Sequence, residues 1–191
     1  FRYLPWRRTV RVAAGGPTNL RVDLERHDLP ASFGGFLSAD LHVHMNYGGN
    51  LRNTLEHMML MARAEDAQVA VPLVANKDNR IMDWEHFVPG GAGHPISKDD
   101  PRMAVIVGEE YRPPFWGHTF LIGLRDHLVS PFLTGYEGTA IESLYPLNSD
   151  IFRKAKAQGA ITGYVHAFGG EGDPLKGSLG GAKEFPVDVA L

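Results

Sequence analysis

Apolar and polar positions alternate along residues 8–13 (RTVRVA) and again along 19–24 (LRVDLE), with GGPTN between them. Period-two alternation punctuated by glycine, proline and asparagine predicts two short strands joined as a hairpin-like piece. Two strands alone are marginal in water. The piece must therefore pack on the domain that follows or on further strands. A turn-rich stretch, 27–35, comes next, which places a boundary near residue 36: residues 1–36 as an N-terminal β segment, the end of a larger β domain, and residues 37–191 as a second unit.

Beyond that boundary the pattern changes. A strand is expected at 37–44. Asn53 and Glu56 have the spacing of a capping box, and Leu55, Met58, Met59 and Ala62 recur at helical spacing, so a helix should run to about residue 67. The methionines read as core filler rather than as a cofactor box. Residues 69–75 are almost continuously apolar, as in a strand covered on both faces, although Pro72 speaks against it. Residues 76–101 form a long loop containing NKDNR. Further strands are expected at 103–110 and 118–124, separated by YRPPFWG. Ser149 should cap a helix running to about residue 158, with Gly159 ending it, and residues 160–166 make the last strand before the glycine-rich FGGEGDPLKGSLGG. Strands alternating with helices or loops predict a parallel α/β sheet, open or closed into a barrel, with its chemistry at the carboxyl ends of the strands.

Those ends carry the polar residues of interest. In SADLHVHMNYGG, strand alternation sends Asp40, His42 and His44 to one face and Leu41 and Val43 to the other, leaving two imidazoles about 7 Å apart at the Cα level. That spacing suits a metal. Asn76 and Lys77 end the next strand, Glu109 and Glu110 the third, and His166 the last. His118 begins a strand instead, and reaches the same face only if the PPFW segment turns back or that strand runs antiparallel. Several histidines with a carboxylate form a nitrogen and oxygen ligand set suited to zinc foremost, with manganese or iron as alternatives, rather than to magnesium. Between the two glutamates, parity favours Glu110. Asp40 either orients His42 or His44 or binds the metal itself. Lys77 and Arg80 are either solvated loop charges or a source of one cation that steadies a developing oxyanion. His27, His57, His86, His94 and His127 read as bystanders.

Composition narrows the field by exclusion. A formal net charge of −3 over 191 residues and a pI near 6.3 give no electrostatic footprint for nucleic acid. No apolar stretch approaches the roughly 18 residues of a transmembrane helix. The absence of cysteine removes thiolate ligands, disulfides and a cysteine nucleophile together. Neither GxSxG nor a Walker pattern occurs, which removes the serine-hydrolase and P-loop readings. Localisation stays open, a secreted or periplasmic protein among the options.

Taken in order, DLHVHMNYGG, NKDNR, GEEYRPPFWGHTFLIGL and GYVHAF resemble the PHP metallohydrolases, in their carbaryl-hydrolase-like branch. The resemblance covers roughly residues 37–191, and its specificity lies in the ordered set rather than in any one piece. It implies a distorted (β/α)7 barrel holding divalent ions at the carboxyl end. The family's metal ligands fall on His42, His44, Glu110, His118 and His166. Two departures stand out. The Asp-His pair usual after the second strand is Asn76-Lys77 here, which implies fewer metals and a substrate role for Lys77. The closing Asp-x-His motif is missing, since Asp188 in EFPVDVAL has no histidine after it, so the barrel is expected to be incomplete in this chain.

The functional expectation is a metal-dependent hydrolase acting on a small-molecule ester, amide or carbamate through a metal-activated water, with Lys77 and Glu110 as catalytic residues. The alternatives are a phosphoesterase, in which Lys77 and Arg80 hold the phosphate, and a non-catalytic, metal-stabilised binding module.

Overall fold

The computed structural model describes residues 3–28, 30–46, 52–77, 80–91, 93–113, 116–129 and 145–165, with the backbone alone at 33, 77 and 80. Seven strands and two helices occur among them: β1 (Ala39–Val43), α1 (Leu55–Ala64), β2 (Val69–Lys77), β3 (Arg80–Met82), β4 (Ala104–Val105), β5 (Gly108–Tyr111), β6 (Thr119–Ile122), α2 (Asn148–Ala157) and β7 (Ile161–Tyr164). The strands make one sheet in the order β1-β2-β5-β6-β7, with β3 and β4 also paired to β2.

β1, α1 and β2 form the expected βαβ unit, with β1 and β2 parallel. Thr54, one residue beyond the expected cap, starts α1 by accepting the His57 amide on its hydroxyl at 3.2 Å. Such a cap is worth about 1 kcal/mol. The helix ends at Ala64, short of the expected residue 67. Met58 and Met59 are buried with Leu55, Met45, Ala70, Met103 and Val105, so the methionines do fill core. β2 runs longer than the apolar run indicated, and Pro72 is tolerated there because it lies where the β1–β2 register slips. Asp40 faces Ala70 and Val43 faces Pro72, leaving one extra residue in β1.

The expected 103–110 strand is broken into β4 and β5, which pair in turn with the first and second halves of one edge of β2, both parallel to it. From this point the (β/α)7 expectation fails. The sheet is mixed and curls only as a half-barrel. β3 folds back antiparallel on the end of β2, β6 is antiparallel to β5, and β7 is antiparallel to β6. For β6 the reason is connection length. Residues 112–118 alone join β5 to β6, whereas a parallel crossover needs about a dozen residues or more. The long segment between β3 and β4 carries short 3-10 turns, Trp84–His86 and Pro95–Asp99, in place of a covering helix.

α2 starts one residue before the expected Ser149 cap, with Asp150 accepting the Leu147 amide at 3.2 Å, and Gly159 follows it at φ +83°. It covers a second core of Tyr111, Leu121, Leu124, Ile151, Ala155 and Ala160. Fully burying one such large apolar side chain stabilises by about 1.5–3 kcal/mol.

The N-terminal segment departs from its pattern. Neither 8–13 nor 19–24 is a strand. A single antiparallel bridge, Tyr3 with Arg26, and the Leu4 amide donated to the Glu25 carbonyl at 2.8 Å close the reversal. Val10, Val12, Leu20 and Leu24 all remain exposed. Alternation alone does not make a ladder when no apolar surface among the described residues covers one face of the pair.

Candidate metal centre

The centre is assembled where β1, β5 and β6 bring their ends together. The bulge in β1 takes the His42 amide out of the ladder, and Asp40 Oδ1 accepts it at 3.1 Å. Asp40 therefore holds His42 through its backbone amide. Beyond the bulge His42 and His44 lie edge to face, ring centroids 4.9 Å apart and planes at 79°, with their Nε2 atoms 3.0 Å apart. Glu110 enters from β5 with Oε2 at 2.8 Å from His44 Nε2 and 3.7 Å from His42 Nε2.

These three separations fit a shared cation. Bonds of about 2.0–2.1 Å in tetrahedral geometry place neighbouring ligand atoms about 3.3 Å apart. The observed 2.8, 3.0 and 3.7 Å bracket that value. His42, His44 and Glu110 thus form a group that can hold a metal ion, two imidazole nitrogens and one carboxylate oxygen within 4.8 Å of one another.

Glu110 is 1% exposed. Burial pushes its carboxyl upward, but hydrogen bonds with His118, His42 and His44 outweigh it and hold the group far below the usual carboxylate range. It is a fixed negative charge in a dry setting, as a ligand for a divalent cation should be. Glu109, its neighbour, points to the other face of β5 and accepts the Val129 amide on Oε2 at 2.7 Å.

His118 reaches Glu110 because β6 runs antiparallel to β5, one of the two conditions the sequence set for it. Its Nδ1 lies 3.1 Å from Glu110 Oε1, the oxygen turned away from the His42–His44 pair. Arg112 stands beside both, with Nε 3.5 Å from His118 Nδ1 and 3.8 Å from Glu110 Oε2. A guanidinium only donates and a carboxylate only accepts. Protonated at Nδ1, His118 donates to Glu110; deprotonated there, it accepts from Arg112.

Arg112 is the residue the sequence reading overlooked. The signal was present: in strand alternation residue 112 follows residue 110 on the same face. Asn76 pairs with it, Nδ2 donating to the Arg112 carbonyl and the Asn76 carbonyl accepting from Arg112 Nη1. His166 lies outside the described residues; its neighbour Val165 donates its amide to the His118 carbonyl at 3.1 Å. Lys77 ends β2 and Arg80 begins β3, their side chains also outside the description.

A second group, Asp83, Glu85 and His86, also brings possible ligand atoms within 4.8 Å of one another, although His86 read as a bystander. Asp83 is left-handed at φ 67° and buried, and its carboxylate accepts from both the amide and the side chain of Asn46. Asn46 in turn accepts the Asn53 amide at 2.8 Å and donates to the Asn53 carbonyl at 3.2 Å. This lattice anchors the chain two residues after His44.

Comparison with known proteins returns nothing: no family model, no curated protein and no solved structure matches the chain. Among the described residues, no helix is long and apolar enough to cross a membrane.

Proposed function

We propose that the protein is a metal-dependent hydrolase that cleaves an ester, amide or carbamate bond in a small molecule. The observation that carries the reading is the convergence of His42 Nε2, His44 Nε2 and Glu110 Oε2 on one point at the end of the sheet. The ordered motifs that resemble the PHP metallohydrolases support the reaction class, independently of the barrel that the fold lacks.

A divalent ion held by His42, His44 and Glu110, zinc in the first instance, would supply Lewis acidity and a water ionisable near pH 7. The chain's own residues do the rest. His42 and His44 would bind through Nε2, and the bulge at Asp40 sets where their rings point. Glu110 would supply the anionic ligand, its Oε2 facing both histidine nitrogens. His118, on the far oxygen of the same carboxylate, holds or releases a proton at Nδ1. Lys77, at the carboxyl end of β2, is assigned to steady the oxyanion that develops on the substrate.

Arg112 favours a second reading, a phosphoester substrate, because it places a permanent cation beside the same group. The test is a panel of aryl esters, carbamates and phosphodiesters given to the zinc-loaded protein. Cleavage of the first two classes, abolished by chelation and restored by zinc, is the expected result. Turnover confined to phosphodiesters selects the second reading, and no turnover of any class with a full complement of metal favours a binding module.

A further inference from the structure

We infer that Asp83, Glu85 and His86 form a second divalent-cation site, for a first-row ion such as manganese or zinc, which ties the turn after β3 to the chain beyond His44. None of the three belongs to the His42, His44 and Glu110 group, so the site stands whether or not that group binds metal.

The local chain explains the grouping. β3 ends at Met82, Asp83 turns the backbone at φ 67°, and the Trp84–His86 3-10 turn follows, with the His86 amide donating to the Asp83 carbonyl at 3.1 Å. Side chains three residues apart in such a turn lie one above the other, which puts Asp83 and His86 on one side. With Glu85 they offer two carboxylates and one imidazole, ligand atoms within 4.8 Å of one another. Two oxygens to one nitrogen reverses the ratio of the first group and favours manganese more than that group does.

The state of Asp83 points to a cation independently of that spacing. Its side chain is buried, the residue only 5% exposed. Oδ1 accepts from Asn46 Nδ2 and Oδ2 accepts the Asn46 amide, both neutral donors, and among the described residues no lysine or arginine pairs with the carboxylate. A buried carboxylate is costly unless a cation offsets its charge. A carboxylate has about four lone-pair positions and Asn46 takes two, so each oxygen keeps one for an ion. The surroundings add negative charge: Glu56, on the first turn of α1, is close enough to act on His86 electrostatically. Hydrogen-bonded carboxylates are what metal ligands usually are, since the second partner fixes their direction. Here that partner is Asn46, two residues beyond His44, so an ion on Asp83 would stiffen the chain where it leaves the first centre.

Metal counting tests the site. Metal-free protein is dialysed to equilibrium against buffered zinc, and separately against buffered manganese, and the ions per chain are counted by mass spectrometry. The parent should bind two ions, His42→Ala one, His86→Ala one, and the double variant none. Glu85→Ala, at an exposed side chain where truncation spares the fold, should also bind one. A count left unchanged with both metals in folded His86→Ala or in Glu85→Ala overturns the inference. If His86→Ala does not fold, Glu85→Ala decides by the same criterion. A single ion in the parent that His86→Ala removes and His42→Ala keeps upholds this site and contradicts the first one, a separate outcome.

Discussion

Asn76 and Arg112 exchange hydrogen bonds across the carboxyl ends of β2 and β5. Asn76 Nδ2 donates to the Arg112 carbonyl at 3.3 Å, and Arg112 Nη1 donates to the Asn76 carbonyl at 2.9 Å. The pair sits just past the last parallel ladder partners, Ala75 and Glu110, and carries the sheet's order on to the residues beside the metal group.

Removing the amide should therefore be felt in stability. Asn76→Leu removes that donor from the Arg112 carbonyl, and losing one intramolecular hydrogen bond costs about 0.5–1.5 kcal/mol. Urea denaturation should show a loss of that size with an unchanged slope. An unaltered midpoint would mean that the pair contributes nothing.

His42→Ala should lower bound metal and hydrolysis together. His57→Ala, on the first turn of α1, should change neither. Equal metal content in the parent and His42→Ala, measured after identical dialysis, would refute the ligand assignment.

The state of Glu110 gives a pH dependence in the metal-free protein. Its folded pKa is depressed, so its contribution to stability is fully present above the unfolded carboxyl value of about 4.3 and is lost as pH falls below it. Melting temperature of the metal-free protein should thus drop more steeply between about pH 5 and 3 in the parent than in Glu110→Gln. Parallel curves would remove Glu110 from the acid response.

Lys77→Met should cut kcat by roughly 10²-fold or more at unchanged metal occupancy, the size expected for losing one oxyanion donor. Near-full activity in that variant would return Lys77 to the class of solvated charges.

The features set by local pattern were legible in the sequence: α1 from the spacing of Leu55, Met58 and Met59, the turn at Gly159, and the side of β5 that Glu110 takes. What was not legible depends on contacts distant in the chain. The bulge at Asp40 arises from the register of β1 against β2, which alternation within β1 does not encode. The (β/α)7 expectation came from family likeness, while the short 112–118 connection, present in the sequence, already required β6 to turn back. Alternation at 8–13 and 19–24 gave period without partner, and no strand formed. Arg112 is legible only when the alternation that places Glu110 is carried two residues on, past the end of β5.

The proposed function depends first on His42, His44 and Glu110 sharing one point in space as metal ligands. Crystals of the zinc-loaded protein, with diffraction recorded on both sides of the zinc absorption edge, test it most directly. An anomalous peak is expected about 2.0–2.3 Å from His42 Nε2, His44 Nε2 and a Glu110 carboxylate oxygen. A fully loaded protein whose only peak lies elsewhere, with these three side chains unligated, would contradict it.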